Sequence, residues 1–323
     1  MTSVLVTGTG GMGAHVVARL LRSGVDCSFY GTGRQAAALG EFVDPAKVPI
    51  YKGDILDIDT LKSAVRKSAA ERIIHTAGPR ATQTRTNPTE GMRIHLVGTG
   101  NVMEVARRED IERVVYTSSS SVYLATKKGQ SPSRPILEDD PVVPMNHEDV
   151  YATTKVACEY IGYNYAKAHD MSFIALRMSH VYGPWSGDMG RGVAISSMIR
   201  SSLVGEPLEL EEQVAEWTHY YDLAEEHYLA CFSGNVKVGT FNAGSGVISS
   251  LREIREVLAQ YADTKKISIS NKLLTRRSVP SDLTRAKDQL NYTPQYPIER
   301  AVKEFVDWWK TKLAPDRQQP MRK

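Results

Sequence analysis

Short apolar runs alternate with longer helical runs along the first half of the chain. The apolar runs are rich in β-branched and aromatic residues, which predicts strands at 3–7, 26–30, 48–52, 72–76, 113–118 and 172–178. The runs between them predict helices at about 12–23, 58–69, 88–108 and 149–168. Strands that are apolar almost throughout and are separated by helices are typical of a parallel sheet buried on both faces. The pattern therefore predicts an α/β fold with a doubly wound parallel sheet.

The regular alternation of predicted strands and helices ends at about residue 182. We predict helices near 192–203, 249–261 and 298–312, and one further strand at 240–244. These later segments are expected to form a smaller unit over the carboxyl edge of the sheet, where ligands bind in such folds.

Composition narrows the range of functions. The chain has 323 residues, 41% of them hydrophobic, and a net charge of +3, which is too small to indicate nucleic-acid binding. Its three cysteines, Cys27, Cys158 and Cys231, are far apart and fit neither a disulfide framework nor a metal site. The N-terminus lacks the features of a signal peptide, and no run approaches 18 apolar residues. We therefore expect a cytoplasmic protein that does not insert in membranes.

A glycine-rich turn, "VTGTGGMGA", directly follows the first predicted strand and precedes a helix. Glycines allow a tight turn and let backbone N–H groups approach a pyrophosphate, whose charge is favoured at a helix N-terminus. Gly8, Gly10 and Gly13 fit G-x-G-x-x-G, whereas Gly8, Gly11 and Ala14 fit G-x-x-G-x-x-A, and both registers remain open. At the first strand–turn–helix unit of an α/β chain, this turn predicts dinucleotide binding.

The turn and the strand pattern together predict the domain organisation. We expect residues 1–182, with a returning strand near 239–244, to form a dinucleotide-binding Rossmann domain. Residues 183–238 and 245–312 are expected to form mainly a substrate-binding cap. The polar segment 313–323 is predicted to be a flexible tail.

The end of the second strand, "YGTGRQ", bears on the choice of cofactor. An acidic residue here would bind the ribose hydroxyls of NAD, but Gly31 takes that place and Arg34 lies just beyond. A guanidinium can bind a 2′-phosphate through two hydrogen bonds, so the sequence favours NADP over NAD, with a solvated surface arginine as the alternative. Asp54, at the end of the third strand, is placed to accept a hydrogen bond from adenine, or else to cap the next helix.

A tyrosine and a lysine stand four residues apart in the predicted helix at 149–168. The spacing places Tyr151 and Lys155 on the same helix face. The strand before this helix ends in "YTSSSSVY", which brings serine hydroxyls to the carboxyl edge of the sheet. Lowering a tyrosine pKa by ~3 units requires ~4 kcal/mol, which a nearby ammonium and an oxidised nicotinamide ring can supply. These groups together predict acid–base chemistry at a substrate hydroxyl or carbonyl oxygen.

These motifs form an ordered series: "VTGTGGMGAHV", "GDILD", "IIHTAG", "HLVGTGNVMEVAR", "VVYTSSSSVY", "YATTK" and "LRMSHVYGP". The chain resembles the extended short-chain dehydrogenase/reductase superfamily, in particular its NAD-dependent epimerase/dehydratase-like branch, over nearly its whole length. The resemblance implies that Tyr151 is the catalytic acid/base, Lys155 its partner and Ser119 the polarising hydroxyl. It implies cofactor contacts at Gly8, Gly10, Gly11, Met12, Gly13, Asp54, Ile55, Ala77, Tyr151 and Lys155, to which the guanidinium chemistry above adds Arg34. It also implies a homodimer formed through the helices at 88–108 and 149–168.

Several positions depart from the family pattern. His95 and His180 replace asparagines; we expect His95 to be structural, and we expect His180 and Ser120 to contact the substrate. Ser120 and Ser121 stand where sugar-nucleotide 4,6-dehydratases carry an acidic pair, which argues against dehydration. The segment 215–222, "AEWTHYYD", lacks the arginine that anchors a diphosphate in sugar-nucleotide enzymes. This last departure argues against a nucleotide-sugar substrate.

The sequence therefore favours an NAD(P)-dependent oxidoreductase that transfers hydride at a secondary alcohol or carbonyl of a small, polar, sugar-like molecule. The alternative is a sugar or nucleotide-sugar epimerase, in which the same groups oxidise and re-reduce one carbon while the cofactor stays bound. A third possibility is a dinucleotide-sensing protein that keeps the fold without catalysis.

Overall fold

The computed structural model describes residues 2–32, 37–123, 134–142, 149–185, 193–276 and 279–314. The described strands are β1 (Ser3–Thr7), β2 (Asp26–Gly31), β3 (Ile50–Lys52), β4 (Arg72–His75), β5 (Arg113–Ser119), β6 (Ser172–Met178), β7 (His180–Tyr182), β8 (Leu208–Ala215), β9 (Trp217–His219), β10 (Val238–Ala243), β11 (Ser249–Ser250) and β12 (Ile267–Arg276). The described helices are α1 (Gly11–Arg22), α2 (Ala37–Gly40), α3 (Ile58–Ser68), α4 (Ala81–Thr86), α5 (Pro88–Arg108), α6 (Val150–His169), α7 (Val193–Val204), α8 (Tyr220–Phe232), α9 (Leu251–Leu258), α10 (Thr284–Leu290) and α11 (Ile298–Leu313).

Seven of these strands form one parallel sheet in the order β10-β6-β5-β4-β1-β2-β3. Its core lies in two layers. On one face, α1 and α8 pack together over side chains such as Leu20, Phe29 and Leu223. On the other face, α3, α5 and α6 cover side chains such as Leu5 and Phe173. The predicted doubly wound α/β fold is confirmed.

The later segments form a second, smaller core. Strand β8 lies between β11 and β12 in a three-stranded sheet, and α7, α9 and α11 pack around it. Trp217, Phe305 and Ile254 are buried in this core. The short strands β7 and β9 pair with each other in parallel. The tail predicted at 313–323 lies outside the described residues from 315 onward.

The strand order places the site. It reverses between β1 and β4, and in open α/β sheets ligands bind beyond the carboxyl ends of the strands at such a reversal. The glycine turn after β1, the serines ending β5 and the start of α6 all come to this edge. Among the described helices, none has the length and apolar character needed to span a bilayer.

Candidate active site

A cavity of about 610 Å³ lies at this edge of the sheet. It brings together nearly all of the residues that the sequence singled out. Its lining includes Gly8, Gly10, Gly11, Met12, Gly13, Asp54, Ile55, Ala77, Ser119, Ser120, Tyr151, Lys155 and His180. Arg34, on which the preference for NADP rested, lies outside the described residues.

The glycine turn is built for close backbone approach. Helix α1 begins at Gly11, its first residues line the cavity, and its first turn holds no acidic residue. Gly8 has φ +97°, and a Cβ there would lie 2.6 Å from the backbone nitrogen of Ala77. A Cβ on Gly13 would lie 2.1 Å from the carbonyl oxygen of Gly8. Both positions therefore require glycine, and the helix N-terminus is available to a pyrophosphate. These residues fit a dinucleotide.

The residues that follow β2 and β3 bear on the expected contacts with the adenosine part of the cofactor. A Cβ at Gly31 would lie 2.9 Å from Cγ2 of Thr9, so a larger residue is excluded there unless Thr9 moves. Asp54 does not cap a helix, because Asp57 caps α3 by accepting hydrogen bonds from the N–H groups of Asp59 and Thr60. The Asp54 carboxylate instead accepts a hydrogen bond from the Leu56 N–H and lines the cavity.

The tyrosine and lysine lie on the first turns of α6, as their spacing predicted. Asp149 caps this helix: its carboxylate accepts hydrogen bonds from the N–H groups of Tyr151, at 3.2 Å, and Ala152. The Lys155 ammonium donates to the carbonyl oxygen of Thr117 at 2.9 Å and lies 5.8 Å from the centre of the Tyr151 ring. Burial lowers the pKa of Lys155 to about 8, so the side chain remains mostly cationic at neutral pH.

Burial opposes ionisation of the Tyr151 phenol. Burial raises its pKa to about 12, although a hydrogen bond with Ser119 and the positive charge of Arg85 both act to lower it. Ser119 and Arg85 are thus two groups in the protein that favour the phenolate. Ser119 also accepts a hydrogen bond from the N–H of Ser121, which fixes its hydroxyl at the end of β5.

The two histidines that depart from the family pattern have different surroundings. His95 is buried, its Nε2 donates to the carbonyl oxygen of Pro79 at 2.9 Å, and burial lowers its pKa to about 2. It therefore stays neutral and supports the loop after β4, with its ring edge against Tyr151. The backbone N–H of His180 donates to the Glu216 carbonyl oxygen, the His180 ring contacts Trp217, and the residue lines the cavity.

An ion pair at the N-terminus of α6 was not predicted from the sequence. Arg85, on α4, contacts the buried Asp149 carboxylate through Nη2 at 2.7 Å and also lines the cavity. Arg80, Trp185 and Tyr220 line it as well. In the sequence, only their positions after the strands β4, β7 and β9 could have indicated that these residues line the site, because the carboxyl ends of those strands face it.

A protein-family model described as the NAD dependent epimerase/dehydratase family matches residues 4–244. The chain belongs to this family. It is therefore an NAD(P)-dependent enzyme of the extended short-chain dehydrogenase/reductase superfamily, as the motifs indicated. The UDP-glucose 4-epimerase of Halalkalibacterium halodurans is 27% identical to it over an alignment of length 334, which covers 95% of this chain and 96% of that protein.

Solved structures of family members agree with this assignment. MoeE5 in complex with UDP-glucose and NAD is 26% identical, with a TM-score of 0.78 over 97% of this chain and 100% of that chain. The UDP-glucose 4-epimerase of Thermus thermophilus, solved in complex with NAD, is 23% identical. It has the same fold, with a TM-score of 0.81 over 96% of this chain and 99% of that chain.

Proposed function

We propose that this enzyme is an NAD-dependent sugar epimerase that acts on a nucleotide-linked hexose. The observation that carries the proposal is the meeting of Ser119, Tyr151 and Lys155 with the glycine turn in one cavity. The family relatives named as UDP-glucose 4-epimerases, which align over nearly their whole length, support epimerisation over net oxidation.

Each of the three side chains has a role in this reaction. The Tyr151 hydroxyl oxygen takes the proton of the substrate hydroxyl during oxidation and returns it during reduction. Ser119 holds the same substrate oxygen by a hydrogen bond. Lys155, anchored on the Thr117 carbonyl, presents its ammonium to the nicotinamide ribose and favours the phenolate. The residues of the glycine turn would hold the dinucleotide, which would supply a reversible hydride acceptor for the sugar carbon, so the reaction would have no net redox change.

For the cofactor we propose NAD rather than NADP. The preference for NADP drew on Arg34, and the solved family structures compared above carry NAD. At the end of β2, Gly31 and Thr32 line the cavity, and neither brings a charge to bind a 2′-phosphate. Equilibrium binding of the two cofactors to cofactor-free protein tests this: a lower Kd for NADP would contradict it.

The arginine that anchors a diphosphate in sugar-nucleotide enzymes is absent from the segment 215–222, so another group must bind the diphosphate of a nucleotide-linked substrate. Ala215, at the start of this segment, is buried. The absence of the arginine favours a second candidate function, a dehydrogenase that acts on a hydroxylated molecule without a diphosphate. The two functions differ in what they release, because only the dehydrogenase accumulates NADH.

The test is to incubate the purified enzyme, with no added cofactor, with UDP-glucose or UDP-galactose and with free sugars. Proton NMR follows the sugar, and nicotinamide absorbance follows NADH. Interconversion of the UDP-sugars at constant absorbance supports the epimerase. Steady NADH production from a free sugar after NAD is added, with no interconversion, would establish the dehydrogenase instead.

We also propose that the enzyme is a homodimer formed through α5 and α6. These helices pack against each other, and each leaves large apolar side chains exposed: Met92 and Val97 on α5, and Tyr160 on α6. Sedimentation equilibrium should give twice the mass of the chain. A single-chain mass, unaffected by Val97→Glu, would contradict this arrangement.

A further inference from the structure

Two aromatic rings lie against the turn that is expected to hold the pyrophosphate. A Cβ placed on Gly11, the first residue of α1, would lie 3.2 Å from Cδ1 of Trp185 and 3.3 Å from the hydroxyl oxygen of Tyr220. Both residues line the cavity. They come from segments that follow β7 and β9, outside the strand–turn–helix unit that they cover. We refer to Trp185 and Tyr220 as the aromatic cover.

Tyr220 is held firmly over α1. Its ring stacks on that of His15, with 4.4 Å between ring centres and 6° between planes. The His15 Nδ1 in turn donates to the Gly11 carbonyl oxygen at 2.7 Å. Burial lowers the pKa of His15 to about 3, so this ring stays neutral and keeps its Nδ1 proton for Gly11. The stack therefore fixes the Tyr220 hydroxyl beside the start of the helix.

Trp185 reaches the same spot through an unusual backbone. It has φ +67°, in the left-handed region, and follows Gly183 with φ +129°. A bulky residue in this region costs of order 1–3 kcal/mol and persists where the surroundings favour it. Here the left-handed conformation is accompanied by contact of the indole with the glycine turn.

The cover also carries polar groups suited to an anion. Burial raises the pKa of Tyr220 to about 12, although the nearby positive charge of Arg80 acts to lower it. The phenol is thus a neutral hydrogen-bond donor at neutral pH, and Arg80 contributes a positive charge to the same cavity. A phosphate oxygen bound at the N-terminus of α1 would have both groups close by.

We propose that Trp185 and Tyr220 set the rate at which the dinucleotide leaves this cavity, and that they slow its release. Tyr220 donates a hydrogen bond to the pyrophosphate, and Trp185 blocks the path by which it would leave. This inference rests on the proposed function, since it concerns the dinucleotide that the epimerase uses. A retained cofactor returns hydride to the carbon that supplied it, whereas an exchanged cofactor leaves as NADH.

The test measures release of the dinucleotide directly, without turnover. Full-length protein is loaded with NADH and mixed with excess NAD, and the loss of bound-NADH fluorescence gives the release rate. The variants are Tyr220→Phe and Trp185→Leu. The matched control is Tyr228→Phe. Tyr228 lies on the same helix α8, but its ring lies over the Arg19 guanidinium instead of the glycine turn. Thermal melts establish that each variant is folded.

We expect slow release from the wild type and the control. Tyr220→Phe should release NADH about tenfold to hundredfold faster, the effect of losing one hydrogen bond to a charged group. Trp185→Leu should also release it faster. Equal release rates in all four proteins would overturn the proposal. So would tighter binding in the variants, which would mean that the rings compete with the pyrophosphate for the turn.

The same experiment separates this inference from the proposed function. If the variants release NADH faster but the wild type interconverts no sugar, the proposed role of the aromatic cover is supported and the proposed reaction is wrong. If the wild type epimerises a UDP-sugar and the variants release NADH no faster than the control, the proposed reaction is supported and the proposed role of the aromatic cover is wrong. A wild type that binds no dinucleotide would overturn both.

Discussion

At the scale of single residues, the proton on Tyr151 is controlled by groups from three parts of the chain. Burial raises the pKa of the phenol to about 12, Ser119 and Arg85 act to lower it, and Asp149 acts to raise it. The ion pair between Arg85 and Asp149 therefore partly cancels the carboxylate's effect on the neighbouring tyrosine. Arg85 influences the chemistry through this electrostatic environment.

Removal of Arg85 is expected to displace the pH dependence of the reaction. In Arg85→Leu the pKa of Tyr151 rises, because a positive charge is lost and Asp149 loses this counterion. A higher pH is then needed to form the phenolate, so the profile of kcat against pH should move to higher pH. Arg85→Lys keeps the charge and should stay close to the wild-type profile. A lower kcat with an unmoved profile would show a purely structural role.

A second carboxyl is buried without contributing to the proposed chemistry. Glu226, on α8, is fully buried, and its oxygens have no hydrogen-bond partner within the described part of the chain. Burial raises its pKa well above the ordinary value, with nearby acidic residues adding to the effect. Because the folded-state pKa is the higher one, the carboxyl's contribution to stability is complete below the unfolded pKa and is lost as pH rises towards the folded pKa.

Glu226→Gln removes this titration at nearly constant shape. We expect the variant to gain free energy of unfolding relative to the wild type between pH 5 and pH 8, by at least about 1.4 kcal/mol, the equivalent of one pKa unit. Urea unfolding at the two pH values measures the difference. Glu256→Gln, on the exposed side of α9, is the control and should match the wild type at both. A stability difference independent of pH would show that Glu226 does not titrate as inferred.

At the scale of elements, two glycines in helices are expected to respond oppositely to alanine. A Cβ on Gly13 would meet the Gly8 carbonyl oxygen at 2.1 Å, whereas one on Gly100, in α5, would meet nothing within 4 Å. Gly13→Ala should lower the free energy of unfolding by about 1–3 kcal/mol through overpacking, and should weaken cofactor binding. Gly100→Ala should raise it by about 0.5–1 kcal/mol. Denaturant unfolding of both variants checks the pair, and stabilisation by Gly13→Ala would contradict the packing of the turn.

Elements with local signals were predictable from the sequence. Helix α5 runs from Pro88 to Arg108, as predicted, because Asn87 caps it and Pro88 suits its first turn. Helix α8 was missed. Its buried positions include Asp222, Glu226 and His227, so polar residues stand where a helical apolar pattern is normally found. Strand β12 was missed because irregular pairing at Ser270 and Leu273 interrupts its alternation.

At the scale of the whole molecule, the candidate site combines segments that are distant in sequence. The glycine turn, Ser119, Tyr151 and Lys155 could be predicted, because each follows a strand or occupies a helix face with a known periodicity. The contacts of Arg85 with Asp149, and of Trp185 and Tyr220 with Gly11, depend on how separate segments pack. No local pattern encodes those contacts, so they required the structure.

In the proposed reaction, Tyr151 moves the proton in an epimerisation that uses a retained dinucleotide. The most direct test compares wild type with Tyr151→Phe, measuring both the dinucleotide bound per chain and the initial rate of UDP-galactose conversion. We expect equal dinucleotide content and a rate at least about a hundredfold lower in the variant, the usual scale of general acid–base catalysis. Wild-type conversion that persists at a similar rate in Tyr151→Phe would contradict the account.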